Sequence, residues 1–258
     1  MGLGNQSFGV AFSGGGARGF SHIGVVLALE KYNLKADVVA GVSAGSIAAA
    51  MYGCGLSGRD MIECFKDHLK FSEYREFRVP TDGLLSLDKF RQKLETWLPI
   101  TELQDLVIPT VICATDFDNG KSVGFTKGNL AEKVVASCSI PIVFPPVKIN
   151  GVNYVDGGVL RNLPAWAIRD KCKILLGSNC NPLPRDYKPS STLLGIAMRT
   201  YSLITKSTAI NDLKLCDYVV QNPSLSRFKT FGMSEMKKII VEGYDAACPV
   251  IETMLNNK

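Results

Sequence analysis

Ser43 lies in Gly41-Val42-Ser43-Ala44-Gly45. The pattern G-x-S-x-G at a strand-to-helix junction is the nucleophile elbow of serine hydrolases. A serine hydroxyl attacks poorly until a base takes its proton. In α/β-hydrolases that base is a histidine well downstream of the serine. This chain has two histidines, His22 and His68, and nothing after His68 can serve. Either Ser43 does no acyl chemistry, or a group other than imidazole activates it. Chance alone puts the pattern in about one chain in six of this glycine and serine content, so context must decide. Residues 37–42 read as a short buried strand, and residues 44–52 as an Ala-rich helix. Gly41 and Gly45 lack Cβ, which permits a sharp turn and a closely packed helix. The helix N-terminus would aim its free N–H groups at the hydroxyl. The same serine is also a good helix cap, and the pentapeptide alone weighs the two readings equally.

The second constellation is Ser13-Gly14-Gly15-Gly16-Ala17-Arg18-Gly19, between an apolar strand candidate at residues 8–13 and a helix at residues 18–33. Consecutive glycines leave backbone N–H groups unshielded, which suits an anion or oxyanion. Gly14, Gly16 and Gly19 also match the dinucleotide fingerprint G-x-G-x-x-G, which needs an acidic residue at the far end of the second strand. Asp37 has the distance but opens that strand, and the far end holds Ser43. The placement favours an oxyanion hole beside a nucleophile over a nucleotide site.

The third constellation is Asp156-Gly157-Gly158, which follows a hairpin turning at Asn150-Gly151. Taken alone, an Asp before two glycines is more often a turn, by roughly five to one. A carboxylate pressed against Ser43 would nonetheless accept its proton.

Taken in order, the glycine loop (14–19), the elbow (41–45) and the late D-G-G (156–158) resemble the patatin-like phospholipase family. Residues 136–146 also look like that family's segment ahead of its aspartate. The resemblance extends over about residues 8–180 and more loosely over the remainder. It implies a Ser–Asp dyad, with Ser43 as nucleophile, Asp156 as general base and Gly14, Gly15 and Gly16 as the oxyanion hole. Arg18 and Gly19 would then support the loop, Gly41 and Gly45 shape the elbow, and Gly157 and Gly158 complete the D-G-G motif. His22 stands where the family commonly carries a histidine and is expected to pack and hydrogen-bond. The implied activity is hydrolysis of lipid acyl esters with no cofactor. The alternatives are acyl transfer from the same acyl-enzyme, a lipid-binding pseudoenzyme and, more distantly, a nucleotide-binding oxidoreductase.

The elements that must carry these residues follow from patterning. A β-α-β-α start implies parallel strands and a crossover helix. Further strands are expected at residues 111–115, 121–126 and 172–178, and a helix at residues 129–138. Helices at residues 190–208 and 234–255 each open on a serine in cap position, and Pro249 should kink the second. Residues 57–70 read as a surface helix with His68 solvated, and residues 71–86 as a loop or lid. In the 190–208 helix, Leu193, Leu194, Ile196, Met198, Leu203 and Ile204 read mainly as core. The surplus, with Ile140, Val143 and Phe144, would line an acyl groove. The expected fold is a three-layer α/β/α sandwich with a mostly parallel sheet, residues 1–258 forming one domain and the dyad at the carboxyl ends of central strands.

Composition agrees. An apolar fraction of 46% suffices for a sizeable core, and the net charge of +5 is not visibly clustered, which gives no reason to expect nucleic acid. The eight cysteines have no metal-type spacing and read as reduced thiols, and no acidic or His cluster suggests a metal site. Met1 to Ser7 is mostly glycine and polar residues rather than an apolar signal segment, so the expectation is a cytoplasmic protein that touches membranes peripherally. A carboxylate base, titrating near about 3.9 when free, is expected to stay ionised through neutral pH.

Overall fold

A computed structural model describes residues 3, 6–69, 87–183, 191–228 and 234–257. The expected lid at residues 71–86 and the serine cap at position 190 lie outside the described residues.

The strands are β1 (Phe8–Phe12), β2 (Val38–Val42), β3 (Thr110–Asp116), β4 (Lys121–Phe125), β5 (Val147–Ile149), β6 (Val152–Asp156), β7 (Ile174–Asn179) and β8 (Tyr218–Gln221). They form one sheet in the order β5-β6-β3-β2-β1-β7-β8, with β4 also paired to β3. The neighbours from β3 through β8 run parallel, while β4, β5 and β6 pair antiparallel. The helices are α1 (Ser21–Lys31), α2 (Ala44–Gly53), α3 (Gly58–Leu69), α4 (Asp88–Trp97), α5 (Leu130–Ser137), α6 (Leu193–Leu213) and α7 (Met236–Asn256).

The central strands are apolar on both sides because both sheet faces are covered, as parallel sheets require. Side chains alternate along a strand. Phe8, Val10 and Phe12 of β1 and Val39 of β2 therefore join one core with residues of α1, α2, α5 and α7. Ala11 of β1 and Val38, Ala40 and Val42 of β2 join a second core with Leu163, Ile168 and Ala209. The fold is α/β, with a mostly parallel central sheet between helical layers.

Several boundaries differ from the sequence reading. The first helix begins at Ser21 rather than residue 18, because Gly16–Phe20 winds as a 3-10 turn. α6 runs on to Leu213 and is capped by Thr192, whose side chain accepts the Gly195 N–H. α7 starts at Met236 without a side-chain cap, so Ser234 is not its cap, and it continues past Pro249. α4 and β8 had no counterpart in the sequence reading. The hairpin turn stands where it was expected, with Asn150 and Gly151 both at positive φ.

Candidate active site

Ser43 stands between β2 and α2 with φ 52 and ψ −126. A non-glycine residue rarely holds such a conformation, and it stores strain that the surroundings must fix. They do so on both sides of the residue. The Ser43 N–H donates to Ser137 Oγ at 2.8 Å, and Ser137 Oγ donates to the Cys113 carbonyl at 2.7 Å. The Ser43 carbonyl accepts Ser46 Oγ at 2.6 Å and Ser46 N at 2.8 Å. A Cβ on Gly45 would lie 2.2 Å from the Phe12 carbonyl oxygen, and one on Gly41 2.3 Å from that of Gly45. Only glycine permits this approach of α2 to the strands. Ser43 occupies the N-cap position of α2, but its side chain makes no cap hydrogen bond. The capping reading thus fails, and the hydroxyl is left for another role.

Asp156 ends β6 and is fully buried. Its Oδ1 accepts the Gly158 N–H at 2.8 Å, the turn geometry that the sequence allowed. Its Oδ2 is buried without a hydrogen bond of ordinary geometry. Burial pushes the carboxyl up to about 6, against the opposing pull of the Ser43 hydroxyl, the Gly158 N–H and the Tyr201 phenol. Ser43 and Asp156, 113 positions apart, are therefore neighbours. Tyr201, on α6, was not foreseen. Burial and the Asp156 charge hold its phenol well above the usual tyrosine value, so it stays protonated and can donate.

The glycine loop follows β1. Gly14 does not offer a free donor, because its N–H bonds to the Asn162 carbonyl at 3.1 Å. Gly15 and Gly16 open the 3-10 turn, where the first N–H groups have no partner within the turn. Arg18 is buried and donates to the Phe228 carbonyl, Asn181 Oδ1 and the Pro182 carbonyl, each at 3.1 Å. It ties the loop to two distant segments. A Cβ on Gly19 would meet Ala44 Cβ at 2.5 Å, so this glycine lets the turn rest on the start of α2. Gly157 packs close to the Cys113 carbonyl oxygen, 2.7 Å from a notional Cβ.

His22 is fully buried on α1. Its Nε2 lies 2.9 Å from the Ser13 carbonyl and Nδ1 2.8 Å from Ser178 Oγ. A carbonyl only accepts, so Nε2 carries the proton and Nδ1 accepts from the serine. Burial lowers the imidazole to about 4, with the Ser13 bond pulling the other way, and the ring is neutral at pH 7. His68 lies on α3. Asp37 accepts the Phe8 N–H at 2.7 Å at the opposite end of the strands, which removes it as a ribose ligand. Among the described residues, no group of three His, Cys, Asp or Glu side chains could hold a metal ion.

Sequence reasoning missed Asn162, Ser137 as a partner of Ser43, and Tyr201. The one signal for Asn162 in the sequence is an amide side chain four residues past Gly158, in a stretch that is otherwise mainly apolar.

Residues 10–168 match the family model described as patatin-like phospholipase. An uncharacterized NTE family protein of Mycobacterium bovis is 29% identical over 164 residues, 63% of this chain and 28% of its own length. A protein named lysophospholipase from Meyerozyma guilliermondii is 29% identical over 174 residues, 66% of this chain and 12% of its own length. This chain thus spans less than a third of those relatives. Among solved structures, VipD from Legionella pneumophila shares the fold with a TM-score of 0.55 and 12% identity, covering 96% of this chain and 67% of that one. Human GIVD cytosolic phospholipase A2, solved in complex with methyl gamma-linolenyl fluorophosphonate and terbium chloride, does so with a TM-score of 0.53 and 13% identity, covering 98% and 60%.

Proposed function

We infer the activity from one premise: the chain belongs to the patatin-like phospholipase family. We propose that residues 1–258 form one acyl hydrolase unit that cleaves carboxylic esters of lipids, phospholipids and lysophospholipids among them. The observation that carries this is Asp156 Oδ2, buried without a regular partner beside a strained serine that does not cap its helix.

In the proposed reaction, Asp156 takes the hydroxyl proton as Ser43 Oγ bonds to the ester carbonyl carbon. The carbonyl oxygen becomes an oxyanion facing the N–H groups of Gly15 and Gly16 and of Ala44, the residue after the nucleophile. Each such donor typically contributes about 3 kcal/mol. Gly14 holds the loop instead of donating, because Asn162 already occupies its N–H. The carbon–oxygen bond to the alcohol breaks as Asp156 returns the proton to the leaving oxygen. Water, deprotonated by the same carboxylate, then attacks the acyl-enzyme and releases the fatty acid with Ser43 restored. The positive end of α2 lies behind Ser43 and favours the developing charge. Arg18 fixes the loop through its three acceptors. Ile140, Val143 and Phe144, close in sequence to Ser139, whose carbonyl accepts the Asp156 N–H, would line the acyl groove.

The test is a fluorophosphonate probe read by intact mass. One adduct on Ser43, absent from Ser43→Ala, is the expected result. A folded protein left unlabelled, or labelled elsewhere, would remove the covalent mechanism.

A further inference from the structure

α6 departs from the usual polarity: most of its inward groups are polar, and several large apolar ones face out. A helix on a protein surface normally turns apolar residues inward and polar ones to water. Here the inward positions are Tyr201, Thr205, Thr208, Asp212 and the small apolar Ala209. Thr208 Oγ1 donates to the Gly158 carbonyl at 3.0 Å, Thr205 Oγ1 accepts Asn181 Nδ2 at 2.8 Å, and Asp212 is buried in a two-point ion pair with Arg161 at 2.7 and 2.8 Å. Among the outward positions, beside polar ones, stand several large apolar residues. Leu193 is 82% exposed, Ile196 51%, Leu203 46% and Ile210 48%. Ile196, Leu203 and Ile210 recur every seven residues and so form one line along the helix. The sequence reading placed most of these residues in the core. The structure corrects it, because hydrogen bonds and an ion pair fasten this helix where apolar packing was expected.

The charge on the same helix is one-sided. Lys206 on the helix and Lys214 at its C-cap are exposed, while Asp212, the helix's one acidic residue, is buried. We propose that the outward face of α6 seats the protein on an anionic phospholipid surface. The apolar line would enter the acyl boundary, and the two lysines would stay at the phosphates. Among the described residues no helix is long and apolar enough to cross a membrane, so the helix would lie in the interface. A lipid surface fits better than a protein partner because the helix that bears this face also carries part of the candidate site on its other side. α6 carries Tyr201 against Asp156, and a seated bilayer would lie about one helix diameter, roughly 10 Å, from it. This inference rests on the lipid-hydrolase reading for its purpose, but its test requires no turnover.

The experiment measures sedimentation of the Ser43→Ala protein with vesicles of phosphatidylcholine alone and of phosphatidylcholine with phosphatidylglycerol. Binding should be tighter to the mixed vesicles. Changing Ile196, Leu203 and Ile210 together to Ser should weaken it about tenfold or more. Lys206→Ala and Lys214→Ala should each weaken it about fivefold, on the mixed vesicles only. With Ser43 intact, the triple variant should keep its kcat/KM on a dispersed, water-soluble ester and lose rate on vesicle lipid. Equal vesicle binding by the triple variant and its parent would overturn the proposal. So would a switch from dimer to monomer in the triple variant, which would assign the face to a second copy. A lowered Tm with vesicle binding intact would mean that the chain covers the face itself, and would also overturn it. Lost ester hydrolysis with vesicle binding retained would remove the hydrolase reading and leave the docking surface standing.

Discussion

Asn162 grips Gly14 at two points. Its carbonyl accepts the Gly14 N–H at 3.1 Å, and its Nδ2 donates to the Gly14 carbonyl at 3.3 Å. Its Oδ1 lies so close that a Cβ on Gly14 would approach it to 2.4 Å, and one on Gly158 to 2.7 Å. One buried side chain thus sets the spacing between the glycine loop and the D-G-G segment. Asn162→Ala should lower the unfolding free energy by about 1–3 kcal/mol, the usual loss for a buried polar contact. It should also lower kcat on a soluble ester by about ten- to a hundredfold, because small displacements of oriented groups are costly. Urea unfolding and steady-state kinetics check both. A variant that is destabilised but fully active would show that Asn162 only holds the fold.

Ser43→Ala and Asp156→Asn should each lower kcat/KM by about 10⁴-fold or more and still fold. The double variant should be little worse than either single, since groups that act as one unit are not additive. His22→Gln should keep far more activity than either, although it breaks two buried hydrogen bonds and costs stability. His68→Gln should be unchanged. A folded His22→Gln as inactive as Ser43→Ala would restore histidine as the base.

Much of the candidate site could be read in the sequence because its motifs are local. A strand, a glycine turn and a helix lie within each of the stretches 8–31 and 38–53, and spacing alone orders them. The same is true of the hairpin before Asp156. Asn162, Ser137 and Tyr201 could not be read this way. Their roles depend on which segments the sheet order brings together, and that order cannot be read from their own neighbours in sequence. The direction of α6 was hidden for a related reason. Its apolar content says that a face is dry, but only the hydrogen bonds of Thr205, Thr208 and Asp212 say which face meets the protein.

Acyl-chain length should govern the rate. Each buried CH₂ contributes about 0.8 kcal/mol, or about fourfold, so kcat/KM should climb by up to about a thousandfold from acetyl to octanoyl esters if all six added CH₂ groups are buried. Measurements below the aggregation limit of each ester separate this groove effect from surface docking. Phe144→Ser should flatten the climb, while Leu203→Ser should not. A preference for acetyl esters would refute the groove and the lipid assignment with it.

The pH dependence departs from the sequence expectation. A free aspartate would give no limb near neutrality, but burial raises Asp156 to about 6. The base acts only when ionised, so kcat/KM should fall as pH falls through about 6. A limb there would ordinarily suggest histidine. Here His22 sits at about 4, so His22→Gln should leave the limb in place. Tyr201→Phe removes a donor that favours the carboxylate and should move the limb upward. A limb that His22→Gln abolishes would assign it to the imidazole instead.

The same two groups act on stability with opposite signs. Asp156 rises from 3.8 to about 6 on folding, so between these values the folded protein binds more protons than the unfolded chain. Its contribution becomes less favourable as pH rises through that window, and the full cost persists above it. His22 falls from 6.5 to about 4, so there the unfolded chain binds more protons. Its contribution improves as pH rises from about 4 to 6.5, and is lost as pH falls. Between about 4 and 6 the two slopes oppose each other, and these two groups together should leave the parent protein nearly flat. Asp156→Asn removes one slope. Its stability should rise through the His22 window and, at about pH 8, exceed the parent's by on the order of 3 kcal/mol. Urea unfolding across this range measures it. An Asn variant no more stable than the parent at high pH would mean that Asp156 is not held as a costly buried charge, and would remove the physical basis for its role as base.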